Sequence, residues 1–275
     1  MKNTVFPMIT EQERKLPFYL IGVGCKHVQE HVIRPQGYPN FQWIQCYKGE
    51  GELLLDGKYY PVKEQQGMFL YPDEIHEYYA VREPWEVDWI TFGGYQVEHF
   101  IKNAGFEKTG VFYVANSELV LSKMRKAWSA GQAESSLKGL DCSAIVYELL
   151  IDLLKYASRI GDDSVQQQYL KLQPVFNFIE ENYWKQISLE EMSKTINITP
   201  QHLCLLFKNI MEMRPFEYLN NVRVNKSKDL MIKNHDMEVN EVAKSVGFSN
   251  TSYYCSVFKA MEGISPGSFR KLHGL

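Results

Sequence analysis

The sequence of 275 residues predicts an α+β chain. It has a β-barrel at the N-terminus, a pair of helices behind it, a polar linker, and an all-α C-terminal domain with two helix-turn-helix motifs. Three observations lead there. Short aromatic and aliphatic runs between turn residues fill residues 17–100, helical periodicity replaces them beyond residue 118, and one helical pattern recurs 51 positions later near the C-terminus. At 45% hydrophobic and 13% aromatic residues, the chain can build two cores.

The runs Phe18–Ile21, Gln42–Tyr47, Gly51–Leu55 and Val87–Phe92 read as strands. Turn signals separate them at Arg34–Gly37, Lys48–Gly51, Asp56-Gly57 and Tyr71–Asp73. Many short strands with an Asp-Gly hairpin turn indicate a β-sandwich or barrel, and barrels of this size commonly enclose a small ligand.

Two helices are expected next, over residues 118–130 and 140–159. Leu121, Met124 and Trp128 give the first its apolar stripe, and Ile145, Leu149, Leu153 and Leu154 the second. The leucines Leu149, Leu150, Leu153 and Leu154 serve either a dimer contact or packing on the barrel. Gly161–Gln168 then reads as a flexible polar linker. The expected organisation is therefore residues 1–160 for sensing and dimerisation, 161–170 as linker, and 171–275 as the double helix-turn-helix domain.

In the C-terminal part Leu203, Leu206, Phe207 and Ile210 fall at i, i+3, i+4 and i+7, and Tyr254, Val257, Phe258 and Met261 repeat them. Lys208 and Lys259, Cys204 and Cys255, and Pro215 and Pro266 also correspond. A shorter helix precedes each copy. Leu189, Met192 and Ile196 stripe the first, opened by a capping box of Ser188 and Glu191, and Val239, Val242, Ala243 and Val246 stripe the second. The intervening turns, Asn197-Ile198 and Gly247-Phe248, carry residues that accept a positive φ. Thr199 and Asn250 are expected to cap the second helix of each pair. A helix from Pro215 to about Met231, with Leu219, Val224, Ser227, Leu230 and Met231 turned inward, joins the two copies.

With the apolar stripe inward, Gln201, Leu205 and Lys208 face outward with Cys204 beside them, and the second copy presents Thr251, Ser252, Ser256 and Lys259 with Cys255 beside them. In a helix-turn-helix the second helix reads the major groove. Gln201 suits adenine. Two readings stand for Leu205: contact with a thymine methyl, or packing on a neighbouring loop. Residues 171–275 carry a net charge of +2 against −5 over residues 1–170. Lys208, Arg223, Lys226, Lys228, Lys244, Lys259, Arg270 and Lys271 are candidate phosphate contacts.

These segments resemble the AraC/XylS family of transcription regulators over residues 171–275, on Leu203–Lys208, the Arg223 segment, Val246–Asn250, Tyr253-Tyr254 with Phe258-Lys259, and Gly263–Pro266 ending in Phe269-Arg270. The resemblance implies base reading at the outward positions named above, although many members have Arg where this chain has Leu205 and Ser256. Residues from Arg34 through Gly37, Lys48–Gly51, Gly67, Pro72, Glu74–His76, Trp85, Trp89 and Phe92 are similar to the cupin-like sensor domain of sugar regulators in the family. In the arabinose-responsive member, the positions matching Arg34, Tyr78 and Trp89 contact the sugar; His76 is a further candidate ligand contact. That member has a ligand-binding His where this chain has Val87. Arg34 as a surface ion pair and Trp85 and Trp89 as plain core are the other readings of these residues.

The resemblance implies a regulator of carbohydrate-utilisation genes. A sugar effector, promoter DNA, RNA polymerase and a second copy of the chain would be its partners, and activation its mode. Two alternatives are a metal-dependent cupin enzyme fused to a DNA-binding domain, and an N-terminal domain that only dimerises. A cupin metal site needs several His and a Glu in close spacing, and only His76 stands near a matching place; His27 and His31 lie about 13 Å apart if on one strand. No catalytic residue, metal or cofactor is expected. Five scattered cysteines without a CxxC pair, no long apolar run and no secretory signal read as a cytoplasmic chain.

Overall fold

The computed structural model describes residues 3–159 and 163–274. It divides into two compact units at residues 166 and 167. The first unit contains β1 (Thr4–Val5), β2 (Tyr19–Val28), β3 (Val32–Arg34), β4 (Phe41–Leu55), β5 (Lys58–Lys63), β6 (Gln66–Leu70), β7 (His76–Gly93), α1 (Val97–Asn103), β8 (Gly110–Val114), α2 (Ser117–Gln132), α3 (Lys138–Tyr156) and β9 (Ala157–Arg159).

The strands form one antiparallel sheet in the order β1-β2-β7-β4-β6-β8-β9, with β3 added on β7 and β5 on β4. Two long strands roll this sheet into the cupin-like barrel. β4 pairs with β6 through Gln42–Gln45 and with β5 through Glu50–Leu55, while β7 runs beside it for most of its length. Lys48–Gly51, expected as a turn, does not end the strand. The register with β7 shifts three times between Cys46 and Gly51, and such bulges bend a strand without breaking it. Gly49 makes the bend possible: its φ is +83°, and a Cβ there would lie 2.3 Å from the Pro84 carbonyl oxygen. Asp56 and Gly57, both at positive φ, close the β4–β5 hairpin as expected.

Alternation along the strands separates two cores. Ile44, Leu53, Val62, Met68, Tyr78, Trp85 and Val87 fill the inside of the roll. Trp43, Phe69, Ile90, Phe92 and Phe112 face the other way, onto Val120, Met124 and Ala127 of α2 and Ile145, Val146, Leu149, Leu150 and Leu153 of α3. Most of the leucines that sequence left between two roles therefore pack on the sheet. The expected second helix also ends earlier, because Ala157–Arg159 pairs with β8 as a strand.

The second unit contains α4 (Val165–Asn182), α5 (Leu189–Lys194), α6 (Pro200–Met211), α7 (Pro215–Lys233), α8 (Val239–Ser245), α9 (Thr251–Glu262) and α10 (Pro266–Leu272). Val165–Gln168, expected in the linker, are already helical, since Leu172, Val175 and Ile179 give α4 a face buried against α6 and α7 residues. Gly161 and Asp162 of that linker lie outside the described residues.

α5 and α6 form one helix-turn-helix and α8 and α9 the other. Ser188 and Glu191 make the capping box of α5, and Thr199 and Asn250 cap α6 and α9 through their side-chain oxygens. Asn197 and Gly247 adopt the positive φ that the turns demand, 55° and 93°. Leu203, Phe207, Tyr254 and Phe258 are wholly buried, whereas Met261 is 38% exposed and belongs to neither core. α7 is shared: Leu219 and Val222 enter the first core, Val224 and Met231 the second.

The repeat extends to the helix ends. α6 ends on Glu212 and α9 on Gly263, both left-handed, at φ 54° and 76°. A residue with a Cβ pays a conformational cost there that glycine avoids. Glu212→Gly is expected to stabilise the chain by about 1 kcal/mol, the relief of a left-handed residue with a Cβ, read as a higher denaturation midpoint at unchanged slope. Phe258→Ala is expected to cost about 3–5 kcal/mol in the same measurement.

Candidate functional site

A cavity of about 340 Å³ opens at one end of the roll, lined by Thr4, Phe6, His27, Gln29, Val32, Arg34, Tyr38, Gln42, Ile44, Tyr78, Trp89 and Thr91. Three of the expected ligand residues, Arg34, Tyr78 and Trp89, therefore line one space. They arrive from β3 and β7. Val32 pairs with Tyr78 and Arg34 with His76, and Trp89 lies farther along β7 opposite Gly24 of β2. Gly22 and Gly24 leave room for the indole: a Cβ on Gly24 would fall 2.4 Å from Trp89 Nε1. Phe6 packs against the same indole with ring centroids 5.8 Å apart.

His76 does not line the cavity. Its ring is buried, stacks on Tyr78 at 5.9 Å, and donates from Nδ1 to the Glu74 carbonyl at 2.8 Å. It supports Tyr78 from behind. Burial holds its pKa below the ordinary value, and the nearby Arg34 charge pushes the same way. Burial also pushes the Tyr78 hydroxyl up to about 12, so it remains a donor at neutral pH.

Trp85 is core, wholly buried and packed against Gly51. Arg34 is not in a surface ion pair: no carboxylate oxygen among the described residues lies within 4.0 Å of it, its Nε is buried without a partner, and its guanidinium stacks on Tyr38 at 5.1 Å. Val87, where the family's His is missing, is wholly buried and pairs directly with His27 of β2, which does line the cavity. From the sequence, His27 stands out only as a metal ligand paired with His31. His31 instead meets Glu77 at 2.7 Å on the surface, and no group of three His, Cys, Asp or Glu among the described residues is placed to hold a metal ion.

Gln29, Gln42 and Thr91 were missed as well. Gln42 donates to Thr91 across β4 and β7 at 2.9 Å, and its Oε1 stays buried without a partner. A buried glutamine in an aromatic strand was the available signal, because unpaired buried amides are costly. On the outer side of the strand that carries Trp89, Asp88 is wholly buried, accepts from the Lys26 backbone N–H at 2.6 Å and meets Arg125 of α2 at 3.4 Å.

In the second unit the outward faces are as expected. Gln201, Leu205 and Lys208 of α6 and Ser252, Ser256 and Lys259 of α9 are exposed; Cys204, Thr251 and Cys255 are half-buried beside them. Leu205 is 61% exposed and packs in no hydrophobic core. Lys208 and Lys259 have no ion-pair partner among the described residues, whereas Lys226 pairs with Glu180 and Lys228 with Glu262. Arg223 requires a correction. It is buried, donates to the Tyr183 and Lys185 carbonyls at 2.7 Å each, and lies over the Phe248 ring at 5.5 Å. Two of its donors are spent inside the protein and the side chain is buried, which speaks for a structural role in place of a phosphate contact. Arg270 likewise turns to the Met237 carbonyl.

A ligand-sized cavity in a rolled sheet and two helix-turn-helix units on a common helix define a DNA-binding regulator with a ligand-binding domain. Residues 24–150 match the family model of the AraC-like ligand binding domain, and residues 192–272 that of a helix-turn-helix domain. The chain belongs to the AraC family. It is similar to the Msm operon regulatory protein of Streptococcus mutans, 26% identical over 74% of each chain. It is also similar to the lactose operon transcription activator of Staphylococcus xylosus, 23% identical over 81% of each. The raffinose operon transcriptional regulatory protein RafR of Pediococcus pentosaceus is 24% identical over 70% of each. No helix among the described residues is long and apolar enough to cross a membrane.

Two outcomes test this geometry. Arg223→Ala is expected to lower stability by about 1.5–3 kcal/mol, since it strips charged donors from two carbonyls. Because folded His76 binds protons less readily than an unfolded His, the unfolded state takes up more protons as pH falls through 6.5. Stability is therefore lost on acidification below that value, and His76→Gln should flatten the melting temperature against pH there.

Proposed function

We propose that the chain is a transcription activator of carbohydrate-utilisation genes, controlled by a saccharide bound in the barrel. The observation that carries this reading is the convergence of Arg34, Tyr78 and Trp89 on one cavity. An indole face covers the apolar C–H surface of a sugar, while a guanidinium and a phenol hydrogen-bond its hydroxyls. Three similar proteins are named for Msm, lactose and raffinose operons, which supports the class of effector.

Gln201, Cys204, Leu205, Lys208, Thr251, Ser252, Cys255, Ser256 and Lys259 are the proposed DNA contacts, with α6 and α9 entering successive major grooves of promoter DNA. RNA polymerase is the proposed partner in activation. The chain acts as a homodimer, with sensing by residues 1–160 and DNA binding by residues 171–275. A partly exposed face of α3, at the margin of the barrel core where Tyr147 stacks on Phe18 at 5.2 Å, carries Leu140, Tyr147 and Leu154 at intervals of seven residues. Tyr147 is 45% and Leu140 51% exposed, and a stripe repeating every seven residues is the pattern by which two helices pair.

Three measurements follow. Among mono- and disaccharides, at least one is expected to raise the melting temperature of the full chain, and Trp89→Leu to remove that rise. Lys208→Ala and Lys259→Ala should each weaken binding to any DNA and reduce its salt slope by about 1, while Gln201→Ala alters operator preference; an unchanged preference takes Gln201 off the reading face. Tyr147→Glu should shift the chain toward monomer in sedimentation.

A further inference from the structure

β7 carries two neighbouring side chains to opposite faces of the sheet. Trp89 turns to the cavity, and Asp88, wholly buried, turns outward beneath α2. The outward side is apolar around it, since Trp43 and Ile90 form a core there with residues of α2 and α3, so a carboxylate in that place needs a reason. Its partners are few among the described residues. Gln45 stands directly opposite on β4, but its amide nitrogen is given to the Gln66 carbonyl at 2.9 Å. What remains for Asp88 is the Lys26 backbone N–H on one oxygen, at 2.6 Å, and Arg125 of α2 on the other, at 3.4 Å.

Both partners are poised to move. Lys26 lies in a bulge, where the register of β2 against β7 shifts between Gly24 and His27, and its φ is +49°. A residue with a Cβ leaves that region unless something holds it there, and the carboxylate accepting its N–H supplies that hold. Arg125 is held loosely. Its Nε contact with Asp88 lacks hydrogen-bond geometry, its Nη1 donates to Glu118 at 3.0 Å, and its guanidinium rests on the Tyr47 ring at 5.5 Å, with the Lys26 amine 5.6 Å from the same ring. The bulge begins at Gly24, which pairs with Trp89 and gives its indole room. A displaced indole therefore presses on β2 at the point where the bulge starts.

We propose that Asp88 and Arg125 are positioning residues that couple the cavity to α2: a shift of the Trp89 indole moves the bulge at Lys26, and Asp88, bonded to the bulge and paired with Arg125, passes the shift to the helix. Coupling of this kind needs an element with two arrangements that both sites bias. The left-handed bulge is that element, strained while Asp88 holds it and relaxed when Asp88 lets go. α2 packs with α3 in one core, so both helices feel the state of the cavity. The coupling is a property of the sheet and holds whatever molecule fills the cavity.

The test needs no effector. Hydrogen exchange of the α2 backbone amides is measured in the full chain for Trp89→Phe, Arg125→Met and the two together. Distant substitutions with no shared partner combine to within about a factor of two. Trp89→Phe is expected to speed α2 exchange on the order of tenfold in the otherwise unchanged chain, and by less than about twofold once Arg125 is replaced. Arg125→Lys, which keeps a charge for Asp88, should restore the response to Trp89→Phe, an outcome that lost packing alone does not produce. Asp88→Asn, which still accepts from the Lys26 N–H but cannot form the ion pair, should abolish the response as Arg125→Met does, and it takes the place of that variant if the latter unfolds. The same factor for Trp89→Phe with and without Arg125, or no response of α2 to Trp89→Phe at all, overturns the coupling and leaves the pair as a static brace. Neither result bears on whether a saccharide binds, which the melting-temperature screen decides separately.

Discussion

Arg223 is the interaction on which the DNA-binding half depends. It sits midway along α7, where the first core ends and the second begins, and its guanidinium reaches two carbonyls of the segment after α4 and the aromatic ring in the turn between α8 and α9. Each helix-turn-helix is small, with a core of about nine buried side chains, and cores of that size are marginal alone. Sharing one helix makes each the support of the other. Gly247 belongs to the same joint, since a Cβ there would lie 2.5 Å from the Tyr183 carbonyl oxygen. The distance between α6 and α9, on which reading of two grooves depends, is thereby set by packing and by one buried cation.

The sensor half solves a different problem. A sheet that is apolar on both faces must be covered on both, and β4 and β7 achieve this by bending, so that one set of faces closes on itself and the other receives α2 and α3. The cavity is the place where closure is incomplete. Glycines at 22 and 24 on β2 give space to Trp89, and polar side chains from β2, β4 and β7 meet around it. Asp88 and its neighbours Val87 and Trp89 point to opposite sides of one strand, so the residue that ties the sheet to α2 is adjacent to the one that meets the cavity.

How much of this was legible in the sequence differs between the two halves. The repeat at 51 positions identified the helices, their caps and their buried faces correctly, because helical periodicity and capping are local and α6 and α9 each bury a regular stripe. The exceptions are instructive. Met261 holds an apolar position of the repeat but sits where the second core ends, and Val165–Gln168 look like a linker by composition while the following turns of α4 recruit them into the helix. In the barrel, Lys48–Gly51 has the composition of a turn, yet its glycines serve a bulge inside β4.

Length, composition, the strand runs and the helix-turn-helix duplication follow from the sequence by itself, since each is a local pattern, whereas Arg34, Tyr78 and Trp89 stand out only through the resemblance to the family's sensor domain. Tertiary structure alone decided which polar side chains share a space. That Gln42 and Thr91 meet, that His27 stands across from Val87, that Arg34 has no carboxylate beside it among the described residues and that Arg223 donates to two carbonyls forty and thirty-eight residues away depend on strand register and helix crossing. Those are properties of the packed chain, because hydrogen-bond partners and uncompensated charges are defined by distance in space, which no spacing along the sequence encodes.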